Sequence, residues 1–244
     1  MNVIVANFGF ENYLWTECLL RGSVATYEDE GVRNFWLSGD RKGYIDYCVA
    51  HKKINSTAGI ATPRQVASRW FNIGTTIATT QGDLWIHKSG DDLWWTVSRA
   101  GEAEVELQSA YKGSTASEHV FVTHKPTDPW SNRSRRGVPL RWTGLHARAR
   151  DFLVTQSTLV KLSPSNAEYV TALINGDDLS AWHNRVEWKA KEQTASKAPV
   201  RYLGGKEMAV MRMVATAMTT VAQANGQIVE HTAKVKMNHP PVPI

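Results

Sequence analysis

The chain has 244 residues, 42% of them hydrophobic and 21% charged, with two cysteines and a formal net charge of +5. That length and balance support a hydrophobic core without disulfide staples and exclude a disordered or fibrous chain. No apolar run reaches the roughly 18 residues of a membrane helix, the longest candidate being broken by Arg212. The first residues, MNVIVANFGFENYLW, lack the basic segment of a secretory leader. The expectation is a cytoplasmic protein, with no membrane contact, whose Cys18 and Cys48 are buried thiols in helices.

In chain order, residues 3–8 read as a β-branched strand. Residues 11–20 read as a helix with Leu14 and Cys18 on one face and Gly22 as its stop. A strand at 23–27 follows, then a helix over 40–53 capped by Ser38. Thr62-Pro63 starts a helix to about 72, ending before Gly74. Strands are expected at 75–80, 84–88, 93–98, 102–108 and 120–124, with a loop over 126–142. Helices are expected at 145–154, 163–174, 179–192 and 207–223, with a linker at 196–205 and a terminal strand at 227–237. The fold class is α+β: an N-terminal domain over 1–125, a basic loop over 126–142, and a mostly helical region over 143–244.

The clearest element is a hairpin. With Gly90-Asp91 as its two-residue turn, Lys88 faces Leu93, His87 faces Trp94, Ile86 faces Trp95 and Trp85 faces Thr96. One face is then Leu84, Ile86, Leu93, Trp95 and Val97, an apolar set bound for the core. The other is Trp85, His87, Trp94, Thr96 and Ser98. Indoles beside an imidazole and hydroxyls suit a surface that stacks on a ring and hydrogen-bonds its edge. The competing reading is that both faces are covered and these tryptophans are core. Trp70 fits the apolar stripe of its own helix. Trp36, in a poorly patterned stretch after Asn34, fits a pocket rim better.

The order of strand, helix around Tyr13-Leu14-Trp15, strand SVATY, helical insert, VASRWFN, and a GDLWIH strand paired with DLWWTVS resembles the PUA/EVE-like base-sensing domains, with Gly82-Asp83 opening the strand. The resemblance covers about residues 1–110 and does not extend to the insert around 42–63. It implies a curved sheet with an aromatic pocket for a flipped or unpaired base. Trp36, Trp70, Trp85, Trp94 and Trp95 would stack there, and Asn34, His87 and Thr96 would read an edge. The context it implies is modification sensing in restriction, phage defence or counter-defence.

Charge points the same way. Residues 1–111 carry 10 basic against 13 acidic side chains, whereas residues 112–150 carry 8 against 2. Lys125, Arg133, Arg135, Arg136 and Arg141 lie near Trp130 and Trp142 and are the candidates for phosphate contact, since guanidinium forks suit phosphate and adjacent rings suit bases. A solvated loop pairing with the acidic N-terminal half is the competing reading. The leading expectation is a nucleic-acid-binding protein, DNA or RNA, with no chemistry of its own and no cofactor. One alternative is a metal-dependent nuclease using Asp178, Glu187 and Lys189 in a PD-(D/E)xK-like arrangement. Another is a protein-interaction module that self-associates or binds a partner through the Met-rich helix with Met208, Met211, Val214, Met218 and Val221. Phosphate-binding and nucleophile-elbow glycine motifs are absent, and Cys48 with His51 has no second pair to complete a zinc site.

Overall fold

Four apolar residues in succession, Val3–Ala6, form strand β1, and all four are buried. A strand without polar alternation fits one covered on both faces. In the computed structural model, which describes residues 1–51, 62–110, 118–155 and 157–197, β1 pairs in parallel with β3 (Leu84–Ser89) and antiparallel with β7 (Leu159–Lys161). β4 (Asp92–Val97) closes the hairpin onto β3, giving the order β4-β3-β1-β7. A second sheet has the order β2-β6-β5, from β2 (Ser23–Asp29), β6 (His119–Pro126) and β5 (Glu104–Ser109). The protein is thus mixed α/β with two separate sheets, where the sequence suggested one curved sheet.

The hairpin register is the expected one: Lys88 opposite Leu93, His87 opposite Trp94, Ile86 opposite Trp95, Trp85 opposite Thr96. Gly90 supplies the positive φ, 58°, that this turn needs. Both faces of the hairpin are covered, however. On one, Leu84, Ile86 and Leu93 join Val3 and Val5 against helices α5 (Ala147–Phe152), α6 (Pro164–Asn175) and α8 (Val186–Lys197), through Ala149, Tyr169, Val170, Ile174 and Trp188. On the other, Trp85 joins Ile4, Ala6 and Phe8, Leu14 and Cys18 near and on α1 (Trp15–Arg21), and Ala25, Val120 and Val122 of the second sheet. A third cluster sets Phe121 of that sheet against Val32 and Ala67, with Tyr44, Ile45 and Cys48 of α3 (Arg41–His51).

The boundary expected near 125–143 therefore does not divide two cores. β7 completes the first sheet beside β1, and the later helices cover that sheet's face; residues Met1–Ser196 form one compact unit. The short β7 has too little pattern to stand out in sequence. Where one helix was expected at 179–192, there are α7 (Ser180–His183) and α8, separated at Asn184 and Arg185. The cap of α3 is Asp40, whose carboxylate accepts from the Gly43 N–H at 2.9 Å. Ser38 instead donates back to the Asn34 carbonyl.

The expected strand at 75–80 is helix. α4 (Pro63–Thr79) begins where the sequence says, with Thr62 and Gln65 capping one another reciprocally and proline in the first turn. It then runs past Gly74 to Thr79. The hydroxyls of Thr75, Thr76 and Thr79 bond to carbonyls four residues back, while Ile73 and Ile77 pack into the core around Trp85. Burial of those isoleucines outweighs the few tenths of a kcal/mol by which threonine disfavours helix. Gly74 is needed for a close approach: a Cβ there would lie 2.7 Å from the Trp36 ring. Cys18 and Cys48 are buried free thiols, as expected. No helix among the described residues is long and apolar enough to cross a membrane. The helix with Met208 and Met218 and the terminal strand lie outside the described residues.

Candidate nucleic-acid interface

Of the loop expected over 126–142, Pro126 ends β6 and residues 127–142 are laid along the free edge of β4. Leu93 N–H donates to the Leu140 carbonyl at 2.9 Å, Trp95 and Ser131 exchange both backbone bonds at 2.9 Å, and Asp128 N–H reaches the Val97 carbonyl. Trp142 N–H closes the far end onto Asp91. The segment is irregular, yet its backbone is held almost like a further strand. Its inward side chains anchor it: Trp130 and Leu140 are buried, and the Trp130 indole N–H donates to the Ser23 carbonyl.

The outward side chains are the arginines. Arg133 donates to the Gly137 carbonyl, and Arg135 places its guanidinium over the Trp95 ring, 5.3 Å from the centroid. Both are exposed, and among the described residues neither pairs with a carboxylate. Arg136 and Arg141 do pair, with Asp177 at 3.2 Å and Asp92 at 2.6 Å. Such exposed pairs are worth at most about 1 kcal/mol and open readily to a phosphate. Lys88, across the hairpin turn, lies over the Trp142 ring at 5.2 Å. Lys125 does not belong here: it is buried, and its ammonium donates to the Gly101 carbonyl. Its place in β6 points it into the protein, so the phosphate role expected for it is withdrawn.

The eight base-pocket candidates separate into four groups. Trp85 and Thr96 are fully buried, the indole N–H bonded to Thr80 and the hydroxyl to the Asp128 carbonyl. They are core, and no base reaches them. Trp36 and Trp70 pack in the α3–α4 cluster, Trp36 edge-on to Phe71, with exposed Asn34 beside them on α2 (Arg33–Leu37). Trp95 belongs to the arginine edge. Only His87 and Trp94 remain together, and they are joined by rings outside the eight candidates. The Trp15 ring lies 4.2 Å from His87, 5.7 Å from Trp94 and 5.0 Å from Trp130, with Phe8 behind. Trp15 and Trp94 are half-buried; His87 is 1% exposed. His87 Nδ1 donates to the Ala6 carbonyl at 2.9 Å, and its Nε2 has no partner. Burial pushes the imidazole down to about 4, so at neutral pH Nε2 is a bare acceptor among rings.

A two-residue left-handed turn sets this cluster up. Glu11 and Asn12 have φ of 52° and 59°, and the Asn12 carboxamide accepts from Phe8 N–H at 2.9 Å. Reversing the chain there turns Phe8 and Trp15 onto one another, with ring centroids 5.9 Å apart.

The nuclease constellation does not assemble. Glu187 and Lys189 lie on α8, not on a strand, and positions two apart on a helix point to nearly opposite sides. Asp178 is taken up by the N–H and hydroxyl of Ser180. Cys48 and His51 share α3 but diverge, the thiol buried and the imidazole exposed and stacked on Tyr47.

One cluster went unread. Glu17 and Arg21 of α1 meet Glu104, Glu106 and Gln108 of β5 and His124 of β6. Arg21 binds Glu17 at 3.0 Å, Glu104 at 2.9 Å and Glu106 at 2.8 Å. Burial and then the Arg21 charge push His124 down, outweighing the pull of Glu17 and Glu106. Burial alone would push the Glu106 carboxyl up, but the Gln108 amide and Arg21 outweigh it and hold it low. The spacing of Glu17 and Arg21 on a helix, and Glu-x-Glu-x-Gln on a strand, was the available signal. No family model, curated protein or solved structure matches the chain.

Proposed function

We propose that the chain binds nucleic acid along the 127–142 edge, with Arg133 and Arg135 on the phosphates and the Trp95 ring stacking against a base or sugar. The observation that carries this reading is the pair of exposed arginines that have no carboxylate partner among the described residues, on a segment already fixed by sheet-like hydrogen bonds. Guanidinium groups at fixed positions, with no carboxylate to give up among the described residues, meet a phosphate without first ordering a loop. Arg136 and Arg141 would extend the contact by exchanging Asp177 and Asp92 for phosphate.

A base-reading site is a second part of the proposal. Trp15 and Trp94 offer half-exposed ring faces on which a base would stack, held in place by the buried His87 ring behind them. The arrangement suits recognition; no nucleophile with an adjacent base accompanies it among the described residues.

The test is fluorescence anisotropy with single- and double-stranded DNA and RNA at two or more salt concentrations. Arg133→Ala/Arg135→Ala is expected to weaken binding to every sequence alike and to reduce the salt slope by roughly 1.4 to 1.8, the loss of two phosphate contacts. Trp94→Ala is expected to alter preference among bases while leaving that slope unchanged. Native protein that binds none of these ligands at low salt overturns the reading.

A further inference from the structure

We propose that Glu17, Glu106 and His124 form a binding site for a divalent transition-metal ion between α1 and the second sheet. This proposal is independent of nucleic-acid binding. The carboxylate oxygens and the imidazole nitrogen of the three residues all lie within 4.8 Å of one another. His124 Nε2 is 3.2 Å from Glu17 Oε1 and 3.6 Å from Glu106 Oε1. Donors about 2.1 Å from a tetrahedral ion sit about 3.4 Å apart, so these spacings already match a coordination shell. Imidazole with carboxylates suits Zn²⁺ and its neighbours better than Mg²⁺ or Ca²⁺, which favour oxygen alone.

The second, independent observation is His124 itself. It is 1% exposed, and its Nε2 is aimed at the two carboxylates, close enough to pair with them yet without a well-formed hydrogen bond. A buried imidazole nitrogen without a well-formed hydrogen bond costs stability, and a metal ion would meet both it and two anionic oxygens at once. Its other nitrogen, Nδ1, is 3.0 Å from the Ser23 hydroxyl, an outer contact that fixes ring orientation as metal-binding histidines require. Gln108 completes the set. Its amide nitrogen lies 2.6 Å from Glu106 Oε1 and 3.2 Å from Glu17 Oε1, and a half-turn of the amide presents its oxygen there as a fourth donor.

Arg21 is the competitor. Its guanidinium holds the same two oxygens. It has a second anchor in Glu104 on the exposed side, at 2.9 Å, to which it can withdraw when an ion enters. The two cations thus compete for one pair of carboxylates, and removing Arg21 should strengthen metal binding.

Metal-free native chain is titrated with Zn²⁺ and, separately, Mn²⁺ at neutral pH, read by calorimetry for stoichiometry and by thermal unfolding. Binding at the cluster is expected to lose at least about tenfold in affinity in Glu106→Gln, a half-exposed position whose change leaves the core intact, and likewise in Glu17→Gln. Arg21→Gln is expected to bind more tightly than the native chain. The proposal is overturned if folded native and Arg21→Gln proteins show no saturable binding of either ion. It is equally overturned if binding is unchanged in Glu106→Gln and Glu17→Gln, which would place the ion elsewhere in the chain.

Discussion

Arg135 stacks on Trp95 while the Trp95 indole N–H donates to the Arg133 carbonyl at 2.7 Å, so a single ring positions both exposed arginines. Trp95→Ala should weaken single-stranded nucleic-acid binding by about tenfold, the order of one lost base-stacking contact. Trp95→Phe keeps a ring face but drops the N–H tether, and should lose severalfold less. Anisotropy on the two variants, with thermal midpoints recorded beside them, separates stacking from loss of fold.

His87 gives the protein an acid-sensitive core. Its folded pKa, near 4, lies below the unfolded value near 6.5, so the folded state keeps the neutral ring. That contribution is fully present above about pH 6.5 and is lost as pH falls towards 4, by an amount on the order of 3 kcal/mol. His87→Leu should be less stable at pH 7, having lost the Ala6 bond, yet show a shallower fall in stability between pH 6.5 and 4. Urea unfolding across that window measures both, and identical slopes in variant and native chain would exclude His87 as the titrating group.

Gly74→Ala sets two effects against one another. In an open helix the change gains about 1 kcal/mol. Here the new methyl meets the Trp36 ring at 2.7 Å, and overpacking of this kind costs about 1–3 kcal/mol. The net expectation is destabilisation, removed when Trp36→Ala is added. A double-mutant cycle by chemical denaturation checks it.

The Cys18 thiol is pushed up to about 12, by burial and then by the nearby Glu17 charge. Thiolate is the reactive form, so Cys18 should stay unlabelled by thiol reagents at pH 8 in the folded chain and react on unfolding. Labelling at the rate of a free thiol in native buffer would show that α1 opens readily.

The hairpin was legible to the residue, because a two-residue Gly-Asp turn fixes register through the alternation on either side. What its two faces touch was not legible. Trp85, His87 and Thr96 form a polar-looking stripe, yet α1 and the second sheet lie over it, and only tertiary contacts say so. Local preference misled at 75–80, where threonines that favour strands extend α4 because Ile73 and Ile77 have a core to fill. The arginine edge was found through charge, but Lys125 was wrongly grouped with it, since a count cannot tell a strand residue facing inward from a loop residue facing out. Which way Trp15 faces is not legible in sequence, because its partners, His87 and Trp130, lie far along the chain.

The 127–142 segment also has a consequence for the chain's behaviour at high concentration. A strand whose outer N–H and C=O groups are bare is a template on which other molecules add strands, and β4 carries aromatic side chains that would favour such growth. Here those groups are occupied from within the molecule, behind the exposed charges of Arg133 and Arg135, which repel a second copy. Deleting or shortening that stretch would remove the cover and the repulsion at once, and the expected product is a protein prone to fibrous aggregation.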